Sequence, residues 1–206
     1  MIWMLLPKST GTYSVDLDLL DGDWDKNALE DMSVDIGRKP LRRPDFYQSG
    51  RRVRTEFLPT KAQRSGGQQP VEDFKKVGLA QICSGAFRGL VERFDPGVHQ
   101  FEPLEIVDRN GTAEERQFYW FFPKTRLHAL DPARVSPQLN ELGYFSLSTP
   151  VDEWNFVFLK NTVGDHDVFC SAEIKTFIFI SDRLKRAIED ADLSGVKFSG
   201  PFEISE

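Results

Sequence analysis

Two apolar patterns alternate along this chain of 206 residues. Short aromatic runs, FYWFF at 118–122, FVF at 156–158 and FIFI at 177–180, mass large rings with β-branched neighbours. That composition suits strands buried on at least one face. Phe87, Leu90, Val91 and Phe94 instead follow Ser84 at i, i+3, i+4, i+7 spacing, the mark of an amphipathic helix with a serine N-cap. A second helix is predicted from Ser181 through Leu184, Ala187, Ile188 and Ala191, stopped at Leu193-Ser194-Gly195. Strands are expected over 98–107, 117–123, 144–147, 155–159 and 196–202, with 167–170 and 176–180 as arms around a turn at 163–167. Residues 71–77 read as a short helical stretch. Leu58 to Pro70 is polar, turn-rich and without apolar period, and reads as an exposed loop or linker.

The chain also echoes itself. Aligning 82–106 with 179–204 pairs Ser84 with Ser181, Phe87 with Leu184, Arg88 with Lys185, Val91 with Ile188, Glu92 with Glu189 and Asp95 with Asp192. One residue later in offset, Gly97-Val98 pairs with Gly195-Val196, and Pro103 to Ile106 with Pro201 to Ile204. Each copy is a cap, a helix, a glycine stop and a strand with a proline bend. Two copies are too few for a solenoid. They imply an α+β fold, mixed or antiparallel sheets carrying a few packed helices. The domain expectation is a β-rich or irregular region over 1–70 and an α+β domain over 71–206, the two possibly continuous.

Charge changes the picture in the N-terminal third. Residues 1–35 carry eight acids against Lys8 and Lys26, a net of −6, and residues 36–64 carry nine bases against Asp45 and Glu56, a net of +7. The whole chain has a net charge of −6 and a pI near 5.2. That balance argues against an obligate binder of nucleic acid or of an anionic membrane, even with the basic stretch 42–54. Two cysteines make no disulfide framework, and MIWMLLPKST is too short for a secretory or spanning segment. The expected location is the cytoplasm.

Candidate chemistry is sparse. Asp165-His166-Asp167 is the one local constellation, a histidine flanked by carboxylates able to raise its pKa or to help hold a metal. His99 and His128 stand alone. Cys83 sits beside a helix start, where a dipole can lower a thiol pKa, although a buried cysteine used as a small apolar residue is the ordinary case. Asp16, Asp18, Asp21, Asp23 and Asp25 approach a calcium loop but lack its register and closing glutamate. No nucleotide, hydrolase or zinc motif appears, so neither cofactor nor metal is expected. The pattern favours a protein that works by binding, with Asp21, Asp23, Trp24 and Asp25 as the choice for a charged contact anchored by an aromatic ring. The alternatives are a small enzyme built on His166, Asp165 and Asp167, or an adaptor that loads a partner.

The doubled unit is also where a family resemblance lies. The pattern I-C-S-x-x-F-R-x-L-V-E-R-F-x-P-G-V-H-Q-F-x-P-L-E-I, then Tyr119-Trp120, then Leu127-x-Ala129-Leu130-Asp131, resembles immunity-protein family eleven of bacterial polymorphic toxin systems. The closing I-S-D-R-L-K-R-A-I-E-D-A-D-L-S-G-V-K-F is similar to that family's closing motif, and the resemblance covers about 71–200. It implies a non-catalytic cytoplasmic antitoxin that binds and neutralises a cognate secreted toxin domain. The partners it implies are nucleases of the HNH/endonuclease VII type, often delivered by type VI secretion. An acidic inhibitor would suit the positive cleft such a nuclease needs.

Overall fold

In a computed structural model, the described residues are 1–8, 16–23, 26, 50–66, 69–78, 80–141, 143, 154–174 and 177–205. They form two six-stranded mixed sheets and three helices, an α+β architecture. In chain order the strands are β1 (Ile2–Pro7), β2 (Leu17–Leu19), β3 (Lys61–Arg64), β4 (Phe74–Val77), β5 (Ala80–Ser84), β6 (Gln100–Val107), β7 (Phe118–Phe122), β8 (Arg126–Leu127), β9 (Val157–Leu159), β10 (Val168–Ser171), β11 (Ile178–Ser181) and β12 (Val196–Ser205). Helices α1 (Gly85–Phe94), α2 (Lys160–Val163) and α3 (Asp182–Asp190) complete the set. The first sheet runs β2-β3-β6-β7-β5-β4 and the second β8-β10-β11-β1-β12-β9.

The internal echo is a repeat of topology. In the first sheet β5 and β6, joined by α1, flank β7; in the second β11 and β12, joined by α3, flank β1. Registers agree in detail. Cys83 faces Phe74 and Tyr119, and its counterpart Ile180 faces Val168 and Trp3. Ser84 and Ser181 cap their helices by accepting from Phe87 N and Leu184 N. Arg88 lies over Phe101 and Tyr119, and Lys185 over Phe198 and Trp3, the same cation–aromatic sandwich twice. Gln100 opposes Phe122 as Lys197 opposes Leu6, so the strands keep one offset through Glu102 and Ser199. The extra residue of the second copy lies in a bulge around Gly200 and Pro201, where the β1–β12 register shifts. The loop glycines Gly97 and Gly195, paired by sequence, therefore stand one register step apart.

Residues 1–70 contribute to both sheets. β1 is an interior strand of the second sheet, while β2 and β3 extend the first beside β6. The helix-bearing faces of the two sheets meet in one cluster, with Phe87 and Val91 from α1 and Leu184 and Ile188 from α3 among Leu5, Phe74, Phe121 and Ile180. The opposite face of the first sheet packs Ile82, Ile106, Trp120 and Phe122 under Val53 and Leu58. That loop is pinned by Trp120 Nε1 donating to Pro59 O (2.6 Å) and by Gln100 exchanging two hydrogen bonds with the Val53 backbone (2.8 and 2.9 Å). On the second sheet, residues 126–131 reach from β8, beside β10, to Leu130, which bridges Phe158 in β9. They cover a cluster that includes Phe156, Phe158, Phe169, Phe179 and Phe202. Burial on both faces is why these strands read as unbroken apolar runs.

Three expectations are corrected. Residues 71–77 are not helical: Phe74 and Val77 belong to β4 and bury on opposite faces of the sheet, which imitates a helical three-residue spacing. Leu58 to Pro70 is not a linker, because Lys61–Arg64 is β3, paired with β2 and β6. Its backbone bonds hold it in place while only Ala62 is fully buried, so no apolar pattern betrays it. The turn at 163–167, preceded by α2, connects β9 to β10, which are not neighbours; β10 pairs with β11 across residues 172–177. The strand expected at 144–147 lies outside the described residues.

Gly195 gives a direct test of how tightly the two units interlock. Its φ is +78°, and a Cβ built there would sit 2.2 Å from Phe74 O and 2.5 Å from Glu72 Cβ. Gly97 has φ +68° with nothing within 4 Å. Gly97→Ala is expected to cost about 1–2 kcal/mol from the left-handed backbone alone. Gly195→Ala adds an overpacking cost, for a total of about 2–5 kcal/mol. Equal losses in parallel urea melts would remove the close approach from this account.

Candidate interaction surface

The histidine constellation does converge, on an open groove of about 320 Å³ lined by residues that include Asp165, His166, Asp167, Ser181, Asp182 and Arg183. Its chemistry is largely spoken for. Asp167 is fully buried, and its carboxylate accepts from Ser181 Oγ and from Arg183 through both Nε (2.5 Å) and Nη2. It is the counterpart of Asp73 at the start of β4. Ser181 N donates to Asp167 O just as Ser84 N donates to Asp73 O. A carboxylate bound in this way orders a strand entry and a helix cap, and offers no free oxygen to a substrate or metal.

Two further carboxylates lock one unit to the other. Asp73 accepts from Ser194 N (2.9 Å) and Ser194 Oγ (2.6 Å), in the loop after α3, and from Arg116 Nη1 (2.9 Å). Asp95, at the end of α1, accepts from Val168 N (2.7 Å) and Asp167 N (3.1 Å) at the start of β10. Burial pushes both carboxyls up, but the hydrogen bonds outweigh it and hold each below the ordinary aspartate value. For Asp73 these come from Ser194 and Ser84 with the Arg116 charge nearby, and for Asp95 from His99, Val168 and Asp167. His99 Nδ1 accepts from Lys124 N (3.2 Å), so Nε2 carries the proton and donates to Asp95 Oδ2 (3.2 Å). His99 is thus an architectural tie, and sequence spacing held no sign of it beyond the four-residue step from Asp95.

The other candidates are equally placed by the fold. Cys83 and Cys170 are fully buried, and burial pushes both thiols up, Cys170 to about 12, against the lesser pull of Arg88 and Arg126. The helix start beside Cys83 therefore makes no thiolate. His128 is exposed with Nδ1 3.4 Å from Glu173 Oε1. Among the described residues no three His, Cys, Asp or Glu side chains are grouped to hold a metal ion, and no helix is long and apolar enough to cross a membrane.

Asp21 and Asp23 follow β2 in an irregular segment that lies against residues 57–61. Asp21 Oδ1 accepts from the Thr60 and Lys61 amides (2.9 Å each) and Oδ2 from Thr60 Oγ1 (2.5 Å). Slight desolvation works against ionisation, but the Thr60 hydroxyl and the two amides outweigh it and keep the carboxyl low. With both oxygens occupied by donors, Asp21 clasps Thr60 and Lys61 and does not form a calcium loop. Asp23 N donates to Phe57 O (2.8 Å), and its carboxylate pairs with Lys26 (3.2 Å). Gly22 makes the clasp possible: at φ +76°, any Cβ would strike Pro59 at 2.6 Å. Trp24 and Asp25 lie outside the described residues. Sequence reading missed Leu20 and Phe57, 50% and 40% exposed, which are two of the three exposed large apolar side chains among the described residues. They stand on two facing segments, where Leu20 N donates to Lys61 O and Asp23 N donates to Phe57 O, and Lys26 Nζ lies 5.8 Å from the Phe57 ring centroid.

The described residues thus make a two-unit α+β protein whose buried carboxylates serve its own architecture. A family model described as Immunity protein family (Imm11) matches residues 30–200, and the chain belongs to that family. The match reaches upstream of the doubled unit into the basic block. No curated protein matches this chain. Membership carries an immunity role and a cognate toxin as partner.

Proposed function

We propose that this immunity protein works in the cytoplasm by binding a secreted toxin of a polymorphic toxin system and occluding it, without chemistry of its own. The family match carries the reading. The internal engagement of Asp73, Asp95, Asp167 and His99 supports the non-catalytic part, since these groups are committed to holding strands and caps. The toxin we propose is a nuclease of the HNH/endonuclease VII type, delivered by type VI secretion; the net charge of −6 suits the positive cleft that gathers phosphates. Co-expression with the C-terminal domain encoded in the adjacent reading frame is expected to rescue growth and to yield a stoichiometric complex at 0.15 M salt, conditions in which surface charges still act over roughly 8 Å. A complex without rescue identifies an adaptor.

One observation favours a second reading, a small enzyme: Asp165, His166 and Asp167 do share a groove. That reading requires His166→Ala to keep toxin binding and lose protection. Under occlusion the variant protects fully, because among the described residues the His166 side chain holds no strand or cap, and its backbone amide donates to Val163 O (3.2 Å) whatever the side chain.

A further inference from the structure

We infer that β1 is a detachable strap: the second unit is a permuted copy of the first, and it opens by releasing β1 while the first unit stays closed. The equivalence of the units extends past the sequence echo. In the first, β3 runs parallel to β6 with Lys61 opposite Glu105; in the second, β9 runs parallel to β12 with Val157 opposite Glu203, the residue that the echo pairs with Glu105. β4 and β10 pair antiparallel with β5 and β11, placing Phe74 opposite Cys83 and Val168 opposite Ile180. β7 is entered beside its helix start with Gln117 O accepting from Gly85 N, and β1 with Met1 O accepting from Asp182 N. So β3, β4, β5, α1, β6 and β7 correspond to β9, β10, β11, α3, β12 and β1. The correspondence breaks in chain order alone. β7 follows β6, whereas β1 comes from ahead of the whole first unit.

That order has an energetic consequence. The six elements of the first unit lie in one stretch, 61–122, so each pairing closes a short length of chain. β1 joins its neighbours from far away; Trp3 Nε1 donates to Asp182 Oδ1 (3.0 Å) across 179 positions. Closing a longer chain costs more entropy, and elements joined only by such long closures come apart as a group before the rest. The strap also has the poorer ladder. β7 meets β6 without a break from Phe122 opposite Gln100 to Phe118 opposite Leu104, whereas the β1–β12 register shifts between Ile2 and Met4. Because β1 lies between β11 and β12, its release divides the second sheet into β8-β10-β11 and β12-β9. Leu5 then leaves the row it forms with Ile178 and Cys170, and Cys170 is uncovered. Cys83, between Phe74 and Tyr119 on the first sheet, stays covered until the whole chain unfolds.

These two cysteines, both free and fully buried, report the two openings separately. The full-length protein is treated with a thiol-specific alkylating reagent at about pH 8, near the pKa of an exposed thiol. Each site is read by mass spectrometry of its peptide, and each rate is divided by that of the same thiol in the urea-unfolded chain. Cys170 is expected to react about tenfold faster than Cys83, or more, as the site with the lower opening free energy. Leu19→Ala, half-buried on β2 of the first sheet, weakens the closed and the strap-released forms equally. It is expected to speed Cys83 and leave Cys170 unchanged. Leu6→Ala, half-buried on the strap opposite Lys197, weakens only the closed form and is expected to speed both sites by one factor. Equal rates at the two cysteines of the wild-type protein overturn the strap, since the chain then opens only as a whole. Faster reaction at Cys83, or a Leu19→Ala effect shared equally by Cys170, overturns it as well. The wild-type comparison needs no variant and decides the matter even where a variant fails to fold.

Discussion

Phe158→Ala is expected to lower the unfolding free energy by about 3–5 kcal/mol, the range for truncating a fully buried ring that its neighbours cannot collapse to fill. Phe158 is completely buried, with the rings of Phe156, Phe169, Phe179 and Phe202 at centroid separations of 6.4, 5.6, 5.0 and 6.3 Å. Those four rings come from β10, β11, β12 and the residue before β9, so no single element can move in to close the cavity. Edge-to-face contacts among them add to the area they bury. Domains of this kind are stable by only about 5–15 kcal/mol, so the variant should melt at a much lower urea midpoint with an unchanged slope. A loss under 1 kcal/mol would mean that this cluster is far more loosely packed than its ring geometry says.

Asp95→Ala is expected to cost about as much, roughly 3–5 kcal/mol, through a different cause. It leaves the amides of Asp167 and Val168 and the His99 Nε2 proton without an acceptor, and unsatisfied buried groups cost about 1–3 kcal/mol each. The same carboxylate makes stability depend on acid. Because Asp95 and Asp73 have folded pKa values below the unfolded aspartate value of about 3.9, the unfolded chain binds more protons there. Their contribution is fully present above that unfolded value and drains away as pH falls through the folded values. Urea melts from pH 6 to 3 should show stability falling as pH drops below about 4, and Asp95→Ala should flatten part of that slope. An identical slope in the variant would assign the acid sensitivity elsewhere.

Much of the fold was legible in the order of residues. Both long helices were marked by a serine cap followed by apolar groups at helical spacing, and both began at their caps in the structure. The aromatic runs FYWFF and FIFI became β7 and β11, because rings massed in a short run have no solvent face to spare. The echo between 82–106 and 179–204 announced two equivalent units, since capped helix, stop and strand are each local signals. β3 was not legible: KAQR is fixed by backbone pairing to strands distant in sequence, and hydrogen-bonding capacity is the same for every residue except proline. β4 deceived for a related reason, two-sided burial giving apolar residues a spacing that belongs to helices.

The site divided along the same line. The order of residues showed that Asp165, His166 and Asp167 are neighbours and that residues 1–35 are acidic. Only tertiary structure decided that Asp167 is consumed by Ser181 and Arg183, and that Asp21 clasps Thr60 and Lys61. It alone set the segments carrying Leu20 and Phe57 side by side, because that depends on which stretch of chain lies beside which. Composition and short-range pattern determine which elements form and what charge they carry, since those follow from side-chain size, branching and ionisation within a few residues. Which groups remain free to meet a partner is decided by contacts between residues far apart in the chain, and those exist only once the chain has folded.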